Sequence, residues 1–177
     1  EIGSTSFSWE KFLSAKNKEI ERLENIYCNI LQNSGVKTFD SRAKFLSPNT
    51  VELSDGTICS SKIILIATGG MPFIPNFTGK EYAVTSNDIF ELKSLPNRIL
   101  IVGGGYIASE FAGILNGMGV KVTQIYRGEK LLRGFDEGIR DIVSISMLER
   151  GIDIKCGVDV KECKKDKSSL LVSLSNG

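Results

Sequence analysis

Gly103-x-Gly105-x-x-Ala108 is the part of this 177-residue sequence whose residue types and spacing are best suited to chemistry. It follows an apolar run, Arg98-Ile99-Leu100-Ile101-Val102, and opens a stretch with helical periodicity. In that setting the first glycine permits a tight turn, and the second lets backbone approach a pyrophosphate with no side chain between. The helix N-terminus then presents unpaired N–H groups and partial positive charge to phosphates. Which dinucleotide would bind depends on the end of the next strand. An NAD site places Asp or Glu about 20 residues on, for the ribose 2′-hydroxyl. Here that strand ends Gln124-Ile125-Tyr126-Arg127, and the nearest acid, Glu129, is already in the loop. Arg127 and Arg133 bracket the loop instead. Guanidinium forks suit a dianionic 2′-phosphate, so the expectation is NADPH, with two merely solvated arginines as the alternative.

Other chemistries find little support. Histidine is absent, which removes the commonest general base and the commonest metal ligand. Cys28, Cys59, Cys156 and Cys163 form no C-x-x-C or C-x-x-H pair, so neither a zinc site nor a thioredoxin-like couple is expected, and all four read as reduced structural thiols. With 22 Lys+Arg against 21 Asp+Glu, the net charge of +1 argues against a nucleic-acid partner. The longest apolar run, Ile63-Ile64-Leu65-Ile66-Ala67, is too short to span a bilayer. No secretory signal pattern is visible at the N-terminus, and a cytoplasmic protein is expected.

The elements that would position these residues follow from periodicity. Apolar residues at Trp9, Phe12, Leu13, Ile20, Leu23, Ile26, Tyr27, Ile30 and Leu31 define one face of a long helix packed on something, with Ser8 as N-cap and Gly35 just past its end. Val36–Phe39, Ala43–Leu46, Val51–Leu53 and Thr57–Cys59 read as a small antiparallel meander. The run from Lys62 to Ala67 reads as a strand buried on both faces. An extended connection over Met71–Asn76 and a short helix capped by Ser86 lead to the informative unit. There a buried strand 98–102, a helix from Tyr106 to about Met118 and a strand 120–126 make a right-handed βαβ unit. A helix capped by Asp136 and a strand 152–155 extend it to βαβαβ, and Val158–Val160 with Leu170–Leu174 form a hairpin.

Three segments together carry a family resemblance: Ile66-Ala-Thr-Gly-Gly70, Val102-Gly-Gly-Gly-Tyr-Ile-Ala-Ser-Glu-Phe-Ala112 and Tyr126-Arg-Gly-Glu-Lys-Leu-Leu-Arg-Gly-Phe-Asp136. In order and spacing the chain resembles the class I pyridine nucleotide–disulfide oxidoreductases, most closely the glutathione reductase branch. The resemblance implies an α/β fold: a Rossmann-like NADPH-binding domain over 71–177, preceded over 1–70 by the C-terminal part of an FAD domain, a helix plus an antiparallel meander. It implies that Gly103, Gly104, Gly105, Ile107 and Ala108 line the NADPH site, with Arg127 and Arg133 clamping the 2′-phosphate. Tyr106 would be the aromatic gate over the nicotinamide side, and Glu110 the helix carboxylate that orients the carboxamide. Ala43, Thr68 and Gly69 would meet FAD, and Tyr27 would line the glutathione disulfide site, unless it is a core-facing aromatic.

Members of that family also carry a FAD-binding glycine fingerprint, a redox C-x-x-x-x-C pair and a His-Pro segment that supplies an acid/base histidine. None of the three is in this sequence. The chain is therefore expected to be an internal piece of a homodimeric reductase, without catalytic residues of its own and inactive alone. Trypanothione reductase has a very similar Tyr-Arg-Gly-Glu stretch and stays open as an alternative, as does a non-catalytic NADP-binding module.

Overall fold

The computed structural model describes residues 6–177, which divide into two compact units. One is Ser14–Met71; the other is Pro72–Gly177 together with the chain through Leu13.

The first unit holds most of α1 (Trp9–Asn33) and a three-stranded meander. Ser8 caps α1 as its sequence suggests: its Oγ accepts from the Lys11 N–H at 3.3 Å. The C-terminal end closes with paired bonds, Val36 N–H to Leu31 O and Gly35 N–H to Gln32 O, both 3.0 Å, with Gly35 at φ +70°. In the meander, β1 (Ala43–Ser47), β2 (Thr50–Leu53) and β3 (Ile58–Ser60) pair antiparallel in that order.

Three expectations fail in this unit for a common reason. The apolar stripe of α1 (Ile20, Leu23, Ile26, Tyr27, Ile30, Leu31) is exposed rather than packed. Val36–Phe39 is not a strand, and Ile63–Ala67 is neither a strand nor buried, with Ile63 and Leu65 more than four-fifths exposed. Periodicity records what a segment is suited to bury, but burial needs a partner surface. A strand buried on both faces also needs neighbours on its edges, and among the described residues no strand pairs with these segments.

The second unit carries the predicted alternation. β4 (Arg98–Val102), β5 (Lys121–Tyr126) and β6 (Asp153–Cys156) form a parallel sheet in that order, with Val102 opposite Ile125 and Tyr126 opposite Cys156. α3 (Tyr106–Gly117) connects β4 to β5, and α4 (Glu137–Glu149) connects β5 to β6. Asp136 caps α4, its Oδ1 accepting from Ile139 N–H at 3.2 Å. The short α2 (Ser86–Ile89) is capped by Thr85 rather than Ser86. Thr85 donates both its N–H and its hydroxyl to Asp88 Oδ2, at 2.7 and 2.8 Å, and those bonds hold the Asp88 carboxyl below its ordinary pKa. β7 (Val160–Asp166) and β8 (Ser169–Leu174) form a hairpin whose second strand lies where expected, while the first begins at Val160, where the expected strand ends.

β4 pairs on one side only among the described residues, so it is half-buried and Val102 is exposed, where a fully buried strand was expected. The core gathers Ala112 and Leu115 of α3, Val122 of β5, Met147 of α4, and Val120, Leu131, Leu132 and Ile152 from the connections. Ile107 and Ile114 of the same helix lie outside it and are exposed. Trp9 is also buried in this unit, its Nε1 donating to Leu92 O at 2.6 Å.

Leu115 is 1% exposed at the centre of this core. Leu115→Ala is expected to cost about 2–5 kcal/mol of unfolding free energy. Urea unfolding followed by the fluorescence of Trp9, the sole tryptophan, checks it. Ile142→Ala, at a 69% exposed position of α4, should stay within about 0.5 kcal/mol of the parent.

Candidate functional site

The turn after β4 is held from beneath by β5. Gly103 adopts φ +146°, open to glycine, and its N–H donates to Ile125 O at 2.9 Å. Its carbonyl accepts from Gln124 Nε2 at 2.9 Å, and the same amide nitrogen reaches Ser109 Oγ at 3.2 Å. One side chain thus ties β5, the turn and the first part of α3 together. Gln124 is fully buried, and its Oε1 has no partner among the described residues. Sequence reasoning gave Gln124 no role. The one signal is an amide set between Val122 and Ile125 on a strand, which marks a buried polar group but names no partner.

Gly104 is a point of close approach. A Cβ there would lie 2.4 Å from Cγ of Tyr126, so the ring rests directly on the glycine backbone. The same ring covers Gly128, where a Cβ would come 2.5 Å from Cε1. Tyr126 thus occupies a slot between two residues without side chains. The carbonyl of Gly104 accepts from Leu132 N–H at 2.6 Å, with Leu132 at φ +56°.

Gly105, the residue at the start of α3, meets the opposite circumstance: a Cβ there would touch nothing within 4 Å. No side chain caps α3 and no acid stands in its first turn, so its leading N–H groups are left to solvent or to an anion. A Cβ on Gly103 would lie 3.4 Å from that of Ala108, in ordinary packing contact, so the positive φ and not lack of space suits that position to glycine. Tyr106, Ile107 and Glu110 are exposed around this helix start.

The loop from Arg127 to Asp136 is anchored in its middle. Leu131 and Leu132 are buried in the core, while Arg127 and Arg133 on either side are exposed. Arg140 holds the loop backbone: Nε donates to Leu131 O at 2.7 Å, Nη2 to Lys130 O at 3.0 Å, and Nη1 pairs with Glu137. Lys130 pairs with Asp141 at 2.8 Å and Glu137 at 3.3 Å, and these bonds, Asp141 first, raise its pKa above the ordinary lysine value. Among the described residues, Arg127 and Arg133 have no acidic partner. The sequence predicted these two cations; the paired ones that hold their loop, Arg140 and Lys130, it did not single out.

In the other unit, Thr68 and Gly69 are exposed, and Gly69 has φ +72° with open space around its Cα. Ala43 opens β1 opposite Leu53 and is exposed. Tyr27 is 65% exposed on α1 and so does not face a core. A recess of about 520 Å³ at the end of α1, lined by Cys28, Gln32, Gly35 and Lys37 among others, contains none of the residues predicted to bind a cofactor or substrate. All four cysteines are free thiols. Burial raises the pKa of Cys156 and, helped by the nearby Glu81 charge, of Cys163, which disfavours their reactive thiolates. No three His, Cys, Asp or Glu among the described residues cluster as metal ligands, and no described helix is long and apolar enough to cross a membrane.

Comparison with known proteins bears on all of this. The chain matches the family described as pyridine nucleotide-disulphide oxidoreductase over residues 2–177. It is 42% identical over 174 residues to a glutathione reductase of Burkholderia cepacia, covering 98% of this chain and 38% of that protein. It is 50% identical over 129 residues to the chloroplastic/mitochondrial glutathione reductase of Pisum sativum, covering 73% of this chain and 23% of that one. The chain therefore spans less than two-fifths of the length of these curated relatives. Among solved structures, the Cu(II) complex of the HOCl-induced flavoprotein disulfide reductase RclA from Escherichia coli superposes with a TM-score of 0.84 at 24% identity. That match covers 98% of this chain and 40% of the other, and shows a shared fold.

The Tyr126 slot makes a direct prediction. Gly104→Ala places a methyl group into the ring, at Cγ where the side chain cannot swing away, and should cost about 1–3 kcal/mol of stability. In a Tyr126→Ala background the same substitution should cost markedly less. A double-mutant cycle on urea midpoints checks the coupling.

Proposed function

The chain belongs to the pyridine nucleotide-disulphide oxidoreductase family, and we propose that it is the NADPH-binding and part of the FAD-binding portion of a flavin-dependent glutathione-disulfide reductase. Pro72–Gly177 is the Rossmann-like NADPH domain in this reading, and the preceding unit the closing part of the FAD domain. The glutathione reductases among its relatives support the substrate. We expect the whole protein to act as a cytoplasmic homodimer.

One observation carries the cofactor assignment. Arg127 and Arg133 are uncompensated cations, and each is bonded in sequence to a residue that grips Gly104: Tyr126 by its ring, Leu132 by its N–H. β5 ends without a carboxylate, so nothing there suits a bare 2′-hydroxyl and much suits a 2′-phosphate.

The residues present fit NADPH. The open space at Gly105 and the uncapped start of α3 receive the pyrophosphate, and the two guanidiniums receive the 2′-phosphate. Tyr106 would cover the place of the nicotinamide until the nucleotide enters, Gly104 and Ile107 would line its path, and Glu110 would orient the carboxamide. When bound, the nucleotide supplies a hydride for the flavin. Ala43, Thr68 and Gly69 are exposed positions open to FAD, and Tyr27 offers the disulfide substrate an exposed ring. The thiol pair and the proton-transferring histidine of disulfide exchange are not among these 177 residues. The work assigned here is therefore nucleotide binding and selection.

Calorimetric titration with NADPH and NADH tests this. NADPH is expected to bind more tightly, and Arg127→Ala or Arg133→Ala to cost roughly 1.5–3 kcal/mol of NADPH binding while sparing NADH. Gly105→Ala should leave unfolding unchanged, because the added methyl meets open space, yet weaken both nucleotides. Equal affinity of the unmodified chain for the two would sink the 2′-phosphate assignment.

A further inference from the structure

We infer that Arg140 is a positioning residue for nucleotide selection, acting through Arg133 rather than on the ligand. The inference rests on the NADPH reading above and adds a residue outside the glycine turn and the arginine pair. The guanidinium is directed inward: its side chain is 13% exposed, and Nε, Nη1 and Nη2 are each engaged with Leu131 O, Glu137 and Lys130 O. Three of its five N–H groups are spent on these partners, and little of the side chain is left open to a phosphate. What it holds is the backbone immediately before Leu132, whose N–H is bonded to Gly104 O at 2.6 Å. The next residue is Arg133. Arg133 thus leaves a backbone gripped on one side by the glycine turn and on the other by Arg140. Glu137 and Asp141, the acids of this part of α4, are occupied by Arg140 and Lys130, which leaves the charge of Arg133 uncompensated. A planar fork is needed for this task, because one side chain must donate to two successive carbonyls while pairing with a carboxylate.

The test measures dissociation constants for NADPH and NADH, with thermal unfolding midpoints, on the full chain and on Arg140→Met, Arg140→Lys, Arg133→Ala and the double variant Arg133→Ala/Arg140→Met. Arg140→Met is expected to weaken NADPH roughly 2- to 30-fold, the range for residues that act on a site without touching its ligand. NADH should stay within about twofold, a selectivity that general loosening of the fold would not produce. Arg140→Lys should fall between, since an ammonium cannot reproduce the fork. In the Arg133→Ala background, Arg140→Met should have no further effect on the ratio of NADPH affinity to NADH affinity. If Arg133→Ala lowers that ratio but Arg140→Met does not, the role assigned to Arg140 is wrong. Equal weakening of both nucleotides, or additive losses in the double variant, overturns it as well. Should Arg140→Met not fold, an unchanged ratio in Arg140→Lys overturns it. If Arg133→Ala itself leaves the ratio untouched, the NADPH reading fails first, and that failure is separately visible.

Discussion

The bare Cα of Gly104 is the constraint on which the rest of the site depends. Because no side chain stands there, the Tyr126 ring lies against the turn, and the carbonyl of the same residue accepts from the Leu132 N–H. Two contacts at one residue thereby bring the end of β5 and the middle of a loop to the same point, and the next residue in each case is an exposed arginine. The ring is the thicker part of the joint and needs a second gap, which Gly128 supplies on its other side. A substitution at any of these three positions would shift both cations relative to the start of α3. Side chains that never touch a ligand therefore set the spacing on which recognition of two phosphate groups would rest.

Beneath the turn the cost is of a different kind. Burying an amide is unfavourable unless it is hydrogen-bonded, yet Gln124 is fully buried with only its nitrogen engaged. The fold tolerates this because that nitrogen holds the carbonyl of Gly103, at φ +146°, while the N–H of the same residue is held by Ile125 O. An apolar residue of similar volume would leave the Gly103 carbonyl without this donor. The turn is kept in shape by one polar side chain inside an apolar strand.

How much of this the sequence disclosed depends on how local the determinant is. The alternation of β4, α3, β5, α4 and β6, the Asp136 cap and the exposed pair Arg127 and Arg133 were legible, because each follows from spacing or from a neighbour along the chain. The family resemblance was legible too, since three motifs stood in order. Gln124 and Arg140 were not: their partners lie 21 and 9–10 positions away, across a turn or a loop whose path spacing does not reveal. The opposite holds at Ile63–Ala67 and along α1, where a continuous apolar run and an apolar stripe predict a burial that does not occur. A hydrophobic pattern states a demand, and among the described residues those demands are unmet.

The loop and the first turns of α4 divide their cations into two kinds, and the division explains why the site is built as it is. Lys130 and Arg140 are neutralised by Glu137 and Asp141 and spend their donors on structure. Arg127 and Arg133 have no such partner among the described residues, so in the free protein two positive charges face solvent on one short loop. Surface pairs such as Lys130–Asp141 contribute little each, so they cannot by themselves hold the loop against that repulsion. The burial of Leu131 and Leu132 between the arginines does most of it, at about 1.5–3 kcal/mol per fully buried leucine. A loop stabilised by apolar burial can leave its exposed cations unpaired. Cations left unpaired on a fixed backbone are ready for an anion without first giving up an internal carboxylate. The same arrangement makes the anion a stabiliser of the fold, since whatever binds only the folded loop adds its binding free energy to folding.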